Sequence, residues 1–299
     1  MEPGFGLGAA QILQGKELSF TNLLDIDSAA RIALEFTEPA AAVIKHTNPC
    51  GAAIGATIEE AYVRAREADS LASFGGIIGL NRAIDAPTAR ALVSTFIEAV
   101  VAPGVEEEAR KILAAKGNMR VVVADLRAGG DRMTGRDVRS ILGAMLVQQR
   151  DEVVEARSPW SGRTAAANGL KVVTKRAPGD GEWGALRFAW RICAHVKSNA
   201  VVFTDATRTL AIGAGQMSRV DAVQVAVMKA AVDGRNPLTS SVAASDAFFP
   251  FRDGLDAIVK AGATAIVQPG GSLRDGEVIA AADEHWIAMV FTGKRHFRH

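Results

Sequence analysis

Short apolar runs built from Val, Ile and Ala recur along the chain, each followed by a longer amphipathic stretch. Residues 41–44, 76–80, 99–102 and 121–123 have the length and β-branched content of buried strands. Between them, residues 58–68, 87–97 and 105–116 carry helical periodicity. Pro87 suits the first turn of a helix, where a missing N–H costs nothing, and Glu106, Glu107 and Glu108 suit a first turn, where the helix dipole favours acids. The alternation predicts an α/β fold with a mostly parallel or mixed sheet. The second half follows the same alternation, with strands expected at 201–203, 211–212, 265–267 and 287–291, and helices at 220–232 and 275–284.

One detail suggests duplication. Ala99-Val100-Val101-Ala102-Pro103-Gly104 and Ala265-Ile266-Val267-Gln268-Pro269-Gly270 each precede an acidic helix. Lys45 and Lys197, each opening a short polar motif, lie at a similar separation. Two related α/β halves would explain this, as would the commonness of strand-Pro-Gly-helix connections. Between the halves come Gly129-Gly130, a polar stretch at 131–139 and an apolar one at 141–147, expected as a strand or packed segment. Ser158-Pro159-Trp160-Ser161-Gly162 is the linker candidate, giving units 1–157 and 158–299.

Bulk composition excludes several classes. Charged residues make up 22% and hydrophobic residues 48% of 299, so a large core is available. A net charge of +1 gives no support to nucleic-acid or membrane-surface binding, though it permits a local pocket for a small anion. Two cysteines, Cys50 and Cys193, imply no disulfide framework and suggest a reducing, cytoplasmic setting. No apolar run approaches the roughly 20 residues a membrane span requires, and Met1 to Gly6 lack the basic start of a signal peptide.

Candidate chemistry begins at Lys45-His46-Thr47-Asn48-Pro49-Cys50-Gly51. A strand ending in Lys-His, with Asn-Pro-Cys-Gly expected to form the turn, places an imidazole that titrates near neutrality beside a cation. This is either a proton-transfer site or an unremarkable strand end. Asn199, in Lys197-Ser198-Asn199, could orient a carbonyl or act as a cap, the commoner role. Gly213 to Arg219 is a glycine turn entering a helix, suited to an anion but matching neither phosphate-loop spacing. Phe248, Phe249 and Phe251 between Ser245 and Asp253 could receive a flat heteroaromatic ligand or form a hydrophobic corner. Pro269-Gly270-Gly271-Ser272 wraps a ligand or is simply a loop, and the basic tail Lys294 to His299 is disordered or docked. Zinc deaminases pair His-x-Glu with Pro-Cys-x-x-Cys. Here Pro49-Cys50 is followed by Ala53 at the second cysteine position and His46 by Thr47-Asn48, so no zinc-ligand set is expected.

Taken together, these motifs, with Ala281-Ala282-Asp283-Glu284-His285 and Arg295-His296-Phe297-Arg298-His299, closely resemble the transformylase unit of the AICAR transformylase/IMP cyclohydrolase family, from about Gln11 to His299. The resemblance implies two similar three-layer α/β/α halves of cytidine-deaminase-like type without zinc, and a cytoplasmic homodimer with shared active sites. It implies formyl transfer from 10-formyltetrahydrofolate to the amine of AICAR. His46 would be the base, Lys45 the proton donor to the leaving folate nitrogen, and Asn199 the orienting group. Gly75 and Glu98 match substrate-side positions, some members carrying Asp in place of Glu98. Arg219 and Arg295 match nucleotide positions; Phe248, Asp253 and Ser272 match folate-side positions. Phe297 and His299 match the closing segment beside the site, near which some relatives hold potassium. The family's cyclohydrolase domain and its Arg-Tyr-Gly-Glu-Asn-x-His-Gln nucleotide segment are not found before Gln11. IMP cyclohydrolase activity is therefore not expected of this chain, and nucleotide is expected to be held less well. The competing expectations are a nucleotide- or folate-binding remnant without turnover, and a deaminase-like hydrolase, which the absent zinc ligands oppose.

Overall fold

A computed structural model describes residues 6–126, 135–231 and 237–299. The first half contains β1 (Gln11–Gln14), α1 (Phe20–Leu34), β2 (Ala40–Lys45), β3 (Asn48–Ile54), α2 (Ile58–Glu67), α3 (Ser70–Ser73), β4 (Ile77–Leu80), α4 (Ala86–Val93), β5 (Ala99–Ala102), α5 (Glu107–Leu113) and β6 (Arg120–Val123). A ribbon of β7 (Arg136–Ile141) and β8 (Ala144–Gln149) follows. The second half contains β9 (Lys171–Val172), α6 (Asp180–Cys193), β10 (Val201–Thr204), β11 (Thr209–Gly213), α7 (Arg219–Ala230), β12 (Val242–Ser245), α8 (Arg252–Ala261), β13 (Ala265–Gln268), α9 (Asp275–Glu284) and β14 (Ala288–Phe291).

The fold is α/β with mixed sheets, and the duplication is visible in the strand orders. One sheet runs β1-β6-β5-β4-β2-β3, the other β9-β14-β13-β12-β10-β11. In each, three parallel strands are flanked by an antiparallel hairpin on one side and a short antiparallel strand on the other. Strand β2 corresponds to β10. Lys45 ends β2 whereas Lys197 precedes β10, so the two lysines are not repeat equivalents. The Ala99 and Ala265 runs are: they form β5 and β13, the matching strands.

Side-chain alternation builds the layers. Ala41, Val43, Ile78, Val100 and Val121 face α2, α4 and α5, while Ala40, Ala42, Ile44, Ile77 and Val101 face α1. In the second sheet, Val201, Phe203, Ala243, Ile266 and Met289 face α7, α8 and α9, and Val202, Ala244 and Val267 face α6. Helices α1 and α6 share one continuous core between the sheets, with Phe36 and Phe188 ring centroids 5.0 Å apart. The sheets also touch at their β3 and β11 edges: Ile54 N–H donates to Thr207 O at 2.8 Å and Ala52 N–H to Thr209 Oγ1 at 3.0 Å.

Several expectations change. Trp160 is 5% exposed and its Nε1–H donates to Glu155 O, so the largely exposed Ser-Pro-Trp-Ser-Gly segment is anchored to the core by its tryptophan rather than being a loose linker. Residues 141–147 belong to the β7–β8 ribbon, where every strand residue is exposed. Helix α4 stops at Val93, well before Ile97. Gly129, Gly130 and part of the polar stretch, like Val232 at the expected end of α7, lie outside the described residues. No helix among the described residues is long and apolar enough to cross a membrane.

Glycine marks where helix and strand touch. A Cβ on Gly213 of β11 would stand 1.8 Å from Ala222 O of α7, and one on Gly51 of β3 2.0 Å from Ala65 O of α2. Gly184, inside α6, faces open space. Gly213→Ala is expected to lower stability by about 1–3 kcal/mol through overpacking. Gly184→Ala should raise it by about 0.5–1 kcal/mol through helix propensity. Urea unfolding of the two variants checks the contrast.

Candidate active site

The turn between β2 and β3 is not Asn-Pro-Cys-Gly, as expected, but His46-Thr47. Lys45 pairs with Asn48 across the hairpin, and Pro49, Cys50 and Gly51 already lie in β3. His46 and Thr47 have φ of 54° and 62°, the left-handed region that a two-residue hairpin demands. Neither is glycine, so the conformation costs of order 1 kcal/mol or more at each and must be held from outside. Asp25 of α1 does this, accepting Thr47 N–H at 2.6 Å, while Thr47 Oγ1 donates to His46 O at 2.7 Å. His46 is thereby fixed in backbone yet exposed in side chain.

Strand register brings further residues to the same edge. Ile44 pairs with Ile77, Ile77 with Ala99, and Ala99 with Arg120. The end of β2 therefore adjoins the starts of β4, β5 and β6, where Gly75, Glu98 and Arg120 stand. Lys45 Nζ donates to Phe74 O at 3.0 Å. Gly75, at φ 73°, donates its N–H to Phe96 O at 2.9 Å. Glu98 pairs with Arg120 at 2.6 Å and lines a 330 Å³ cleft with Lys16, Phe96 and Lys116.

The second motif is joined to the first by one hydrogen bond: Lys197 N–H donates to Asn48 Oδ1 at 2.9 Å. Asn199 is then aimed from two sides. Its Nδ2 donates to Gln216 O at 2.8 Å, and its Oδ1 accepts from Arg219 Nη2 at 2.8 Å. Arg219, 8% exposed, spends Nη1 on Asp246 at 2.6 Å and Ser245 Oγ at 2.7 Å. Asp246 is fully buried and also accepts Ala200 N–H at 3.0 Å and the Ser198 hydroxyl. A buried carboxylate is tolerable only with such saturation.

Strands β12, β13 and β14 run parallel and in register, so the loops after them leave at one edge, the carboxyl ends where open α/β sheets bind ligands. Half-buried Phe248 follows β12. Asp253 is exposed in the first turn of α8 and accepts its neighbour Gly254 N–H at 2.7 Å. Ser272 Oγ accepts Arg274 N–H at 3.1 Å. The tail after β14 is docked: Ser198 N–H donates to Arg298 O at 2.9 Å, and Arg298 Nη2 reaches Ser28 Oγ at 2.8 Å. Arg295 lies over the Phe297 ring at 5.3 Å, and the Phe297 and His299 rings are 5.9 Å apart. Asn199, Arg219 and the tail are thus physically linked. Gly75 and Glu98 share an edge with Lys45, and Phe248, Asp253 and Ser272 stand on the loops of the second sheet.

Cys50 is unsuited to nucleophilic work, because burial pushes its thiol up to about 12. Among the described residues, no group of three or more His, Cys, Asp and Glu is arranged to hold a metal ion. Asp25, Asn48 and Asp246 are supporting residues that local patterns do not reveal, since their partners lie far away in the chain.

A family model described as AICARFT/IMPCHase bienzyme matches residues 2–229. The chain is 54% identical over 297 residues to the bifunctional purine biosynthesis protein PurH of Anaeromyxobacter dehalogenans (strain 2CP-C), covering 97% of this chain and 54% of that protein. It is 51% identical over 294 residues to PurH of Myxococcus xanthus, with the same coverage. It is 51% identical over 304 residues to PurH of Cereibacter sphaeroides (strain ATCC 17029 / ATH 2.4.9), covering 98% and 55%. The chain therefore spans about half the length of the curated relatives it matches.

Removing one member of the buried pair should be costly. Asp246→Ala leaves Arg219 buried and unpaired, and is expected to lower stability by about 3–5 kcal/mol. Asp246→Asn, which keeps hydrogen bonding, should lose less. Denaturant midpoints of the two variants check the order.

Proposed function

Because the chain belongs to the AICARFT/IMPCHase bienzyme family, we propose that it transfers the formyl group of 10-formyltetrahydrofolate to the 5-amino group of AICAR, giving formyl-AICAR and tetrahydrofolate. The observation that carries the proposal is the Asn48–Lys197 hydrogen bond, which seats the Lys45-His46 turn beside the segment that leads to Asn199.

The acceptor amine is a weak nucleophile, since its lone pair is delocalised into the imidazole ring and toward the carboxamide. It must lose a proton as its nitrogen attacks the formyl carbon. His46 takes that proton through the neighbouring carboxamide of the substrate. As the bond from formyl carbon to folate nitrogen breaks, Lys45 protonates the leaving nitrogen. Its tether to Phe74 O uses one of three ammonium hydrogens, leaving two for this work. Asn199 holds formyl group and amine in register, an orientation effect. Its carboxamide is fixed by Gln216 and Arg219, so no rotation has to be arrested when the substrates arrive.

Gly75 and Glu98 sit on the AICAR side. Arg219 serves the nucleotide from behind Asn199, which it aims, and Arg295 reaches toward the phosphate. Phe248, Asp253 and Ser272 form the folate side, and Phe297 and His299 order the closing segment. The halves 1–157 and 158–299 each supply part of this site. The apolar β7–β8 ribbon, with Leu142 fully exposed and Met145 60% exposed, suits the subunit contact of a homodimer with shared sites. The free thiols of Cys50 and Cys193 suit a reducing cytoplasm.

The test follows tetrahydrofolate formation from 10-formyltetrahydrofolate, with and without AICAR. The expected signal depends on AICAR, and His46→Ala lowers kcat by about 10²–10⁴-fold. Full activity in that variant would overturn the role of His46. Absence of any AICAR-dependent signal in folded protein would favour a binding remnant.

A further inference from the structure

The closing segment alternates. Arg295, Phe297 and His299 are exposed, while His296 is buried and Arg298 half-buried. The outward residues are those assigned to the site, so whatever grips the inward ones sets the geometry of the outward face. Arg298 grips the segment before Asn199 through Lys197 and Ser198. His296 is held differently. At 2% exposure, its Nδ1 lies 2.7 Å from Asp151 and its Nε2 2.8 Å from Glu155.

A neutral imidazole has one N–H and one lone pair. Between two carboxylates it would satisfy one and turn its lone pair on the other. Only an imidazolium donates to both. The surroundings support a charge there. Glu155, itself 5% exposed, also accepts Trp190 Nε1–H and faces Lys294 Nζ at 3.5 Å. The Trp190 ring closes the site edge-on at 5.3 Å. Arg187 and Arg191 of α6 point their guanidinium groups at the backbone carbonyl of Ala156 instead. Two carboxylates thus meet one imidazolium and one ammonium.

We propose that His296, clamped as an imidazolium between Asp151 and Glu155, is a positioning residue: it latches the tail so that Arg295, Phe297 and His299 face the substrates, and losing its proton releases them. The proposal rests on the formyl-transfer reading of this face. Burial alone would push the imidazole down, but the hydrogen bonds to Asp151 and Glu155 outweigh it and carry His296 up to about 9. Burial likewise opposes the Glu155 charge, yet its bonds from His296 and Trp190 bring it down to about 2. Glu155 is therefore ionised throughout the useful range. A group raised in the folded state contributes fully below its unfolded value near 6.5, and its contribution is lost as pH rises through about 9.

The experiment measures KM for AICAR, kcat, and trypsin cleavage after Arg295, from pH 7 to 9.5, in the wild type, Asp151→Asn and His296→Gln. Asp151 is half exposed, so its variant should fold. In the wild type, KM and tail cleavage should both rise severalfold above pH 8.5, with kcat changing less. In Asp151→Asn the rise should begin about one pH unit earlier, a shift that a merely structural role would not produce. In His296→Gln both should be raised about tenfold at pH 7 and stay flat. An unshifted profile in Asp151→Asn, or wild-type values in His296→Gln, overturns the latch. Tail cleavage that titrates as described without any AICAR turnover would uphold the latch and sink the formyl-transfer reading instead.

Discussion

The Asn48 side chain carries the junction on which this site depends. Its carbonyl oxygen accepts the Lys197 N–H at 2.9 Å, at the seam where β3 meets β11. Each half of the duplicated fold has its own six-stranded sheet and outer helices. The motifs are not duplicated. One half carries a Lys-His turn at the end of β2, the other an asparagine just before β10. The proposed single site requires a fixed relation between the two edges. The backbone bonds of the seam and the shared core of α1 and α6 supply that rigidity.

The same frame explains why unfavourable local features persist. His46 and Thr47 occupy left-handed backbone without being glycine. Asp246 keeps a carboxylate at zero exposure. Each would be destabilising alone, and each is over-determined by partners from other elements: Asp25 from α1 for the turn, and Ser198, Ala200 and Arg219 for the carboxylate. Strain held in this way can serve pre-organisation. Asn199 gains the most, since both ends of its amide are already engaged before any substrate binds.

Legibility in the sequence followed the range of the interactions. Strands β5 and β13 and helix α9 were readable because apolar runs, Pro-Gly connections and acidic first turns are local signals. Helix α6 is hidden at sequence level by Gly181 and Gly184, which lower its helix propensity, although nine of its 14 residues are buried. The Lys-His step is legible as a strand end, but composition points to a turn two residues too late, because Asn-Pro-Cys-Gly looks more like a turn than His-Thr does. The spacing of Lys45 and Lys197 suggested a repeat that the topology does not contain. Asn48, Asp246 and the Glu155–His296 pair could not be found from sequence, since their partners are set by tertiary register.

The central claim is that groups about 150 residues apart act on one transfer step. A double-mutant cycle on kcat/KM with His46→Ala and Asn199→Ala tests it most directly. If the turn and the asparagine serve the same step, the double variant loses far less than the product of the single losses, a coupling of about 1–3 kcal/mol. Losses that multiply independently, or a single variant with unchanged kcat/KM, would contradict a shared site.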